Sequence, residues 1–561
     1  MDRLERLGNR LPSPPTLFLV LALLVMAVSH VGAVAGWSVT VLEPRRVEAP
    51  AGQAGARPTL ELITKTETVD VPVRTPDGAP AIDAATGKPL TERLTRPVTI
   101  RVNSLLTPDG LYYAISRMVW NFINFPPLGV VLAGILGVGL AERTGLIGAI
   151  LRVTAPLVPG RMLTPMIVLL GIASSAASDA GYIVLPPLAA ALYMAYGRSP
   201  VVGIAAAFAG VSGGFSANLF PTTIDPVVAN LTAAAAGTVE PGYTVNPISS
   251  YYFLLGSAPL ITLLGWFVTD RVVEPRLAAK SQDEGGPRRD GTGARLEALS
   301  PGEVRGLAFA TVALVVVLGL IAAAVFVEGW PLWGKGPSAP SRTGGVAPVD
   351  RWTAGIVPIL LAVFAVPGIV YGAATGVVRG ERDVVKILYA TMSDMGPIIV
   401  MSFFAAQFVE WFTHSQLAQM LAMLGAKGLA ASGLPWWGLL IAIVAATALV
   451  NLLMGSLSAK YTILAPVLVP MMMLLGISPE LTQTSYRVGD SVTNIITPLN
   501  SYMVIILAVV QRYAPRSGLG TMFTLMVPYS LVFLVAWTLF LLLWVGLGVP
   551  VGVDGPLWYG G

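Results

Sequence analysis

Charge-free apolar stretches of about 20 residues, the length needed to cross a bilayer as a helix, recur along this 561-residue chain. Nothing else in the sequence narrows its possible folds as much. Met118–Ala141, Ala180–Gly197, Gly306–Val327 and Trp352–Val378 are examples. With 54% hydrophobic and only 12% charged residues, the chain carries more apolar surface than a water-soluble fold can hide. The pattern predicts an all-α polytopic membrane protein of roughly nine to eleven membrane-inserted segments. Its 59 glycines and 44 prolines fall often inside the apolar runs, so broken helices are expected.

The loops divide the chain. Residues 1–37 hold the N-terminal segment and the first apolar run, Leu17–Val34, which is longer than a signal-peptide core and reads as a retained helix. Residues 38–106 form a polar insertion whose alternation over Thr59–Val73 and Pro97–Val102 suggests a small β-hairpin. A first transmembrane half (107–270), with a break near 162–180, is followed by a charged cytoplasmic linker (271–305). A second half (306–561) carries a break near 436–460. Arg3, Arg6 and Arg10 before the first run, and Arg143, Arg152 and Arg161 after the second, put the N-terminus in the cytoplasm and the insertion outside a cell inner membrane.

The halves echo each other. Ser174-Ser-Ala-Ala-Ser178 before Asp179 parallels Gly455-Ser-Leu-Ser458-Ala before Lys460. Gly213 with Asn218 and Pro221 parallels Gly489 with Asn494 and Pro498. Repetition of one order in two halves is the mark of an inverted-repeat secondary transporter, with its site at the paired breaks.

An ionisable residue inside a span costs about 2.5–3.5 kcal/mol, so Asp179, Lys460, Arg487 and Asp490 should face a cavity or one another. Arg487, Asp490 and Asn494 fall on one helix face, which places an arginine beside a carboxylate. Asp490 and Asn494, completed by Asn451, offer hard oxygens for Na⁺. Arg487 has a fork suited to a substrate carboxylate, and Asp179 stands at a break where it can engage substrate or cap a helix. Arg487 with Asp490 as a structural ion pair, and Lys460 as a snorkelling boundary residue, are the plainer alternatives. Asp225 reads as an interface residue, and His30 and His414 as packing. Scattered basic residues argue against nucleic acid, and neither enzyme nor nucleotide-binding motifs occur, so no catalytic residue or cofactor is expected.

Arg6-Leu-Gly-Asn-Arg-Leu-Pro12, Ala177-Ser-Asp-Ala-Gly-Tyr182, Ala209-Gly-Val-Ser-Gly-Gly-Phe-Ser-Ala-Asn218, Ser478-Pro-Glu-Leu-Thr-Gln483 and Arg487-Val-Gly-Asp-Ser-Val-Thr-Asn-Ile-Ile-Thr-Pro498 resemble the signatures of the p-aminobenzoyl-glutamate transporter (AbgT) family, over nearly the whole chain. The resemblance implies a homodimer whose protomers each have about nine spanning helices and two re-entrant helical hairpins. It further implies import of p-aminobenzoyl-glutamate, or export of sulfonamides and p-aminobenzoate-type antimetabolites, coupled to Na⁺ or H⁺. By resemblance Asn451, Asp490 and Asn494 match cation-binding positions, and Asp179, Ser458, Arg487 and Pro498 match the substrate path. Tyr461 stands where the family usually has tryptophan, and tyrosine can also stack on a substrate ring.

The chain has no cysteine, so an introduced one reports alone. A membrane-impermeant maleimide should label Thr95→Cys in intact cells and Arg382→Cys only after lysis. The reverse pattern overturns a cytoplasmic N-terminus with an external insertion.

Overall fold

The computed structural model describes residues 14–47, 59–72, 91–154, 160–174, 180–287, 299–337, 348–452, 454, 456–497 and 500–560. The fold is mostly helical. Among the described residues six helices are long and apolar enough to cross a membrane. The count is seven if the pair Glu381–Asp394 and Ile398–His414, bent by 44°, is one span. Large apolar side chains stand exposed along them, such as Phe309, Val312, Val316 and Leu320 of Pro301–Phe326, where lipid rather than water is the fitting solvent.

Several runs that sequence treats as whole spans are divided. Met118–Ala141 breaks into Met118–Ile123 and Pro126–Arg143, because Pro126 and Pro127 supply no backbone N–H and hold Phe125 extended. Leu163–Ser174 and Ala180–Ala195 flank the first expected break and pack on each other. Trp436–Asn451 and Leu457–Leu474 flank the second. Twelve residues of helix rise only about 18 Å, so Leu163–Ser174 cannot cross alone.

The 271–305 linker is shorter than its charges suggest. The Tyr251–Val268 helix continues through a π-turn, Thr269–Val273, into Glu274–Ala278, and the next helix begins at Pro301. Arg198 secures the extension: its guanidinium meets both Glu274 oxygens (2.7 and 2.5 Å) and Asp270 (2.6 Å). The following helix starts on a reciprocal cap between Ser300 and Glu303, and Glu303 also takes Arg152 at 2.6 Å.

The polar insertion is more than one hairpin. Three antiparallel pairs form, Ser38–Thr40 with Thr99–Arg101, Leu42–Val47 with Thr59–Thr64, and Thr66–Pro72 with Thr91–Pro97. They meet where Val41, Lys65 and Val98 pass backbone hydrogen bonds in a ring of 2.8–2.9 Å. Between this module, the 238–243 loop and residues 556–560 lies a cavity of about 650 Å³ lined by Glu43, Lys65, Glu240, Tyr243 and Tyr559. Residues 551–559 act as a strap. Val551 accepts from Phe253 N, Leu557 from Ser478 N, and Tyr559 N donates to Gly476. The Tyr559 hydroxyl reaches Glu240 at 2.9 Å.

The strap pins the start of the least expected element, Pro479–Asn494, in which every residue is buried although most are polar. Ser478 caps it, accepting from Leu481 N at 3.0 Å, with Pro479 in the first turn where no donor is needed. Thr482, Thr484, Ser485 and Ser491 satisfy their hydroxyls on carbonyls one turn back. Trp436–Asn451, Leu457–Leu474, Ile224–Ala236 and Leu519–Gly546 pack around it.

Gly489 permits the closest of these approaches. A Cβ there would lie 2.4 Å from the Val444 carbonyl oxygen and 2.8 Å from Thr447 Cβ. Gly489→Ala is therefore expected to push the two helices apart and cost about 1–3 kcal/mol. Thermal unfolding of the purified protein in detergent checks it, and an unchanged midpoint would show that the contact is looser than described.

Candidate functional site

The polar helix presents its charged groups to different neighbours. Arg487, 1% exposed, turns toward Ile224–Ala236, where Nη1 meets Asp225 Oδ1 at 2.5 Å. Asp490, fully buried, turns toward Leu457–Leu474, where Oδ1 meets Lys460 Nζ at 2.5 Å. The plainer alternative, an ion pair between Arg487 and Asp490, thus gives way to two separate pairs. Three residues along a helix turn two side chains about 60° apart and lift one about 4.5 Å above the other, enough to hand each to its own partner.

Two plainer readings also change. Lys460 is no boundary residue, since its side chain is completely buried. Asp225, read as an interface residue, is 4% exposed and is the counter-charge of Arg487. Its second oxygen accepts from Thr222 N (2.6 Å) and Thr222 Oγ1 (3.0 Å). The sequence signal was present but weak: a carboxylate just after the Gly213–Pro221 break, in the first turn of the next helix.

Asn451, Asp490 and Asn494 come together as expected. Asn451 Nδ2 donates to the Asp490 carbonyl (2.6 Å), Thr493 Oγ1 (2.8 Å) and Asn494 Oδ1 (2.9 Å), and Asn494 Nδ2 donates to Asp490 Oδ2 (3.3 Å). The Lys460 ammonium donates to Asn451 Oδ1 as well as pairing with Asp490. The cluster is rich in hard oxygens, the donor type an alkali cation takes, and a tethered cation already sits on two of them. Thr493, which also donates to the Gly489 carbonyl at 3.2 Å, belongs to the same knot and was not foreseen.

Tyr461 is buried with its ring 4.4 Å from Tyr486, and its hydroxyl meets Thr232 at 2.7 Å. Gln483 completes that contact, accepting from Thr232 (2.7 Å) and donating to Ser249 and Ser250 (2.8 and 3.0 Å). Ser458 is half-buried beside the Ser456 cap. Asn218, turned with its amide oxygen toward the guanidinium, accepts from Arg487 Nη2 at 3.3 Å, and Asn500 Nδ2 reaches Ser212 at 3.3 Å. Asp179 and Pro498 lie outside the described residues.

Glu480 extends this set of contacts to the 238–243 loop, where it accepts from the Tyr243 hydroxyl at 3.1 and 3.2 Å. Burial and the Glu480 carboxylate push the Tyr243 phenol above its usual value, and burial with Glu240 does the same to Tyr559. Both stay protonated donors at neutral pH. The two histidines are remote from these contacts: His414 stacks on Tyr113 at 3.6 Å and His30 meets Ser104 at 3.1 Å.

A family model for the AbgT transporter family matches residues 1–559. The p-aminobenzoyl-glutamate transport protein of Escherichia coli (strain K12) is 34% identical over 451 residues, 80% of this chain and 86% of that protein. The Alcanivorax borkumensis YdaH transporter superposes with a TM-score of 0.77 at 36% identity, over 97% of this chain and 100% of that one. Neisseria gonorrhoeae MtrF, described with a class of antimetabolite efflux pumps, gives 0.79 at 38% identity, over 100% of this chain and 99% of its own.

Two buried ion pairs on one helix carry a stability signature. Lys460→Met or Asp490→Leu alone strands a buried charge and should cost about 3–5 kcal/mol, whereas the double replacement should recover most of that loss. Thermal unfolding of the three variants decides it. Additive losses would mean that the two charges do not neutralise each other.

Proposed function

Because this chain belongs to the AbgT transporter family, we propose that it is an ion-coupled secondary transporter of p-aminobenzoyl-glutamate or related aromatic carboxylates, with Na⁺ as the favoured coupling ion. One observation carries the reading: a guanidinium able to take a carboxylate and an oxygen-rich cation cluster lie three residues apart on one buried helix. A carboxylate at Arg487 and a cation at Asn451, Asp490 and Asn494 together add no net charge to a site whose own charges already cancel. That balance is the economical way to bring both into a low-dielectric interior.

In this reading Arg487 anchors the substrate carboxylate, and Asp179, Ser458, Tyr461 and Pro498 line its path, with Asn218 as the counterpart from the other half. Na⁺ is a co-substrate held by Asn451, Asp490 and Asn494, and Lys460 must yield its two oxygens when the ion enters. One carboxylate and one Na⁺ cross as a neutral pair, so the membrane potential does no work on them. A tenfold Na⁺ gradient supplies about 1.4 kcal/mol, which allows accumulation of about tenfold. The proposed frame is nine spans and two re-entrant hairpins related as inverted repeats, in a homodimer of the inner membrane with the N-terminus in the cytoplasm.

A proton-driven efflux pump for sulfonamides and p-aminobenzoate-type antimetabolites is the second reading. It is favoured by the 38% identity to MtrF and by the ammonium already seated on the cation cluster.

Uptake of radiolabelled p-aminobenzoyl-glutamate into proteoliposomes under an imposed Na⁺ or H⁺ gradient tests these readings. Na⁺-dependent accumulation that Asp490→Ala and Arg487→Ala both abolish in folded protein is the expected result. Accumulation indifferent to both substitutions overturns the site, and accumulation driven by the pH gradient at constant Na⁺ selects the second reading.

A further inference from the structure

We propose that Asp225 is an internal stand-in for the substrate carboxylate, holding Arg487 until a carboxylate-bearing substrate displaces it. This rests on the reading of Arg487 as the substrate anchor. A guanidinium and a carboxylate that stabilise each other frequently engage through two parallel hydrogen bonds, as Arg198 and Glu274 do. Here a single contact joins Nη1 to Oδ1, while Asp225 turns its second oxygen to Thr222 N and Thr222 Oγ1.

The guanidinium also leaves part of its donor edge unused. Arg487 is 1% exposed, yet its Nε has no hydrogen-bond partner, and its Nη2 reaches the Asn218 oxygen at 3.3 Å. A buried donor on a charged group is costly to leave unpaired, and a cation that binds nothing further has no use for an idle edge. An incoming carboxylate has that use for it: taking two parallel hydrogen bonds from the fork, it needs more of the guanidinium than Asp225 occupies.

Charge couples the two events. Two carboxylates cannot share one guanidinium in a dry site without repulsion, so substrate entry and Asp225 departure are linked. The break at Gly213–Pro221 directly precedes Asp225, and Thr222 already holds the carboxylate's other oxygen, so a local shift of that turn suffices. Two consequences follow for this chain. The empty carrier is closed electrostatically without an outside anion, and a neutral aromatic amide cannot open it.

The test is equilibrium binding to the full-length protein in nanodiscs, with p-aminobenzoyl-glutamate as probe and p-aminobenzamide, which lacks the carboxylate, as control. Asp225→Asn removes the competitor. Thr222→Val removes one of its two tethers and leaves every charge in place, so it serves where Asp225→Asn fails to fold. The expected result is about tenfold tighter p-aminobenzoyl-glutamate binding in Asp225→Asn and about threefold weaker binding in Thr222→Val, where the displaced carboxylate has lost a hydrogen bond, the smaller shift being about 0.7 kcal/mol. Binding of p-aminobenzamide should not move. Affinity that is unchanged or tighter in Thr222→Val, or unchanged or weaker in Asp225→Asn where it folds, overturns the proposal. Wild-type binding that is indifferent to Arg487→Gln instead removes the anchor itself, a failure readily told from the first.

Discussion

Everything near the site follows from one constraint: a polar helix bearing an arginine and an aspartate is sealed inside a membrane protein, so each charge must meet its opposite there. Arg487 finds Asp225 and Asp490 finds Lys460. These two pairs decide which helices can surround Pro479–Asn494, because Ile224–Ala236 and Leu457–Leu474 must come close enough to deliver a counter-charge. Hydroxyl groups returned to the helix's own carbonyls remove the remaining polar cost. Buried pairs of this kind add little net stability against an apolar core, which makes their presence informative about what the helix handles.

On the proposed function, the same arrangement lets an anion site and a cation site be neighbours without collapsing into each other. If Arg487 and Asp490 bound one another, neither would have a face left for a ligand. Pairing each with a separate helix keeps both within a turn of each other and lets each partner be displaced independently. Asn451 ties the two ends of this logic together, since it bonds the backbone of Asp490 and the side chain of Asn494 while receiving Lys460.

Sequence made the polytopic helical class legible because apolar length is a local property. It also flagged Arg487, Asp490 and Asn494, because their spacing of three and four puts them on one helix face, and Asn451 as a further oxygen donor. The partners were not legible. Asp225 and Arg487 lie 262 positions apart, and no local pattern links them. Lys460 sits in an apolar helix just as a snorkelling lysine would, and only the fold shows that its head points inward. The β-module exceeds the expected hairpin for a similar reason: alternation reveals strands, but the ring joining Val41, Lys65 and Val98 is made by backbone groups that carry no sequence signature.

The strap at residues 551–559 has a consequence for how this protein is made. It is translated after the helix it pins, so Pro479–Asn494 emerges with its leading end unfastened. Both counter-charges, Asp225 and Lys460, lie upstream and are already synthesised when Arg487 and Asp490 emerge. Insertion of the most polar helix can therefore proceed with its charges neutralised on arrival, while its final seating waits for the last stretch of chain. Order of synthesis and order of neutralisation coincide, and a circularly permuted chain starting after Lys460 would lose that coincidence even if its finished fold were the same.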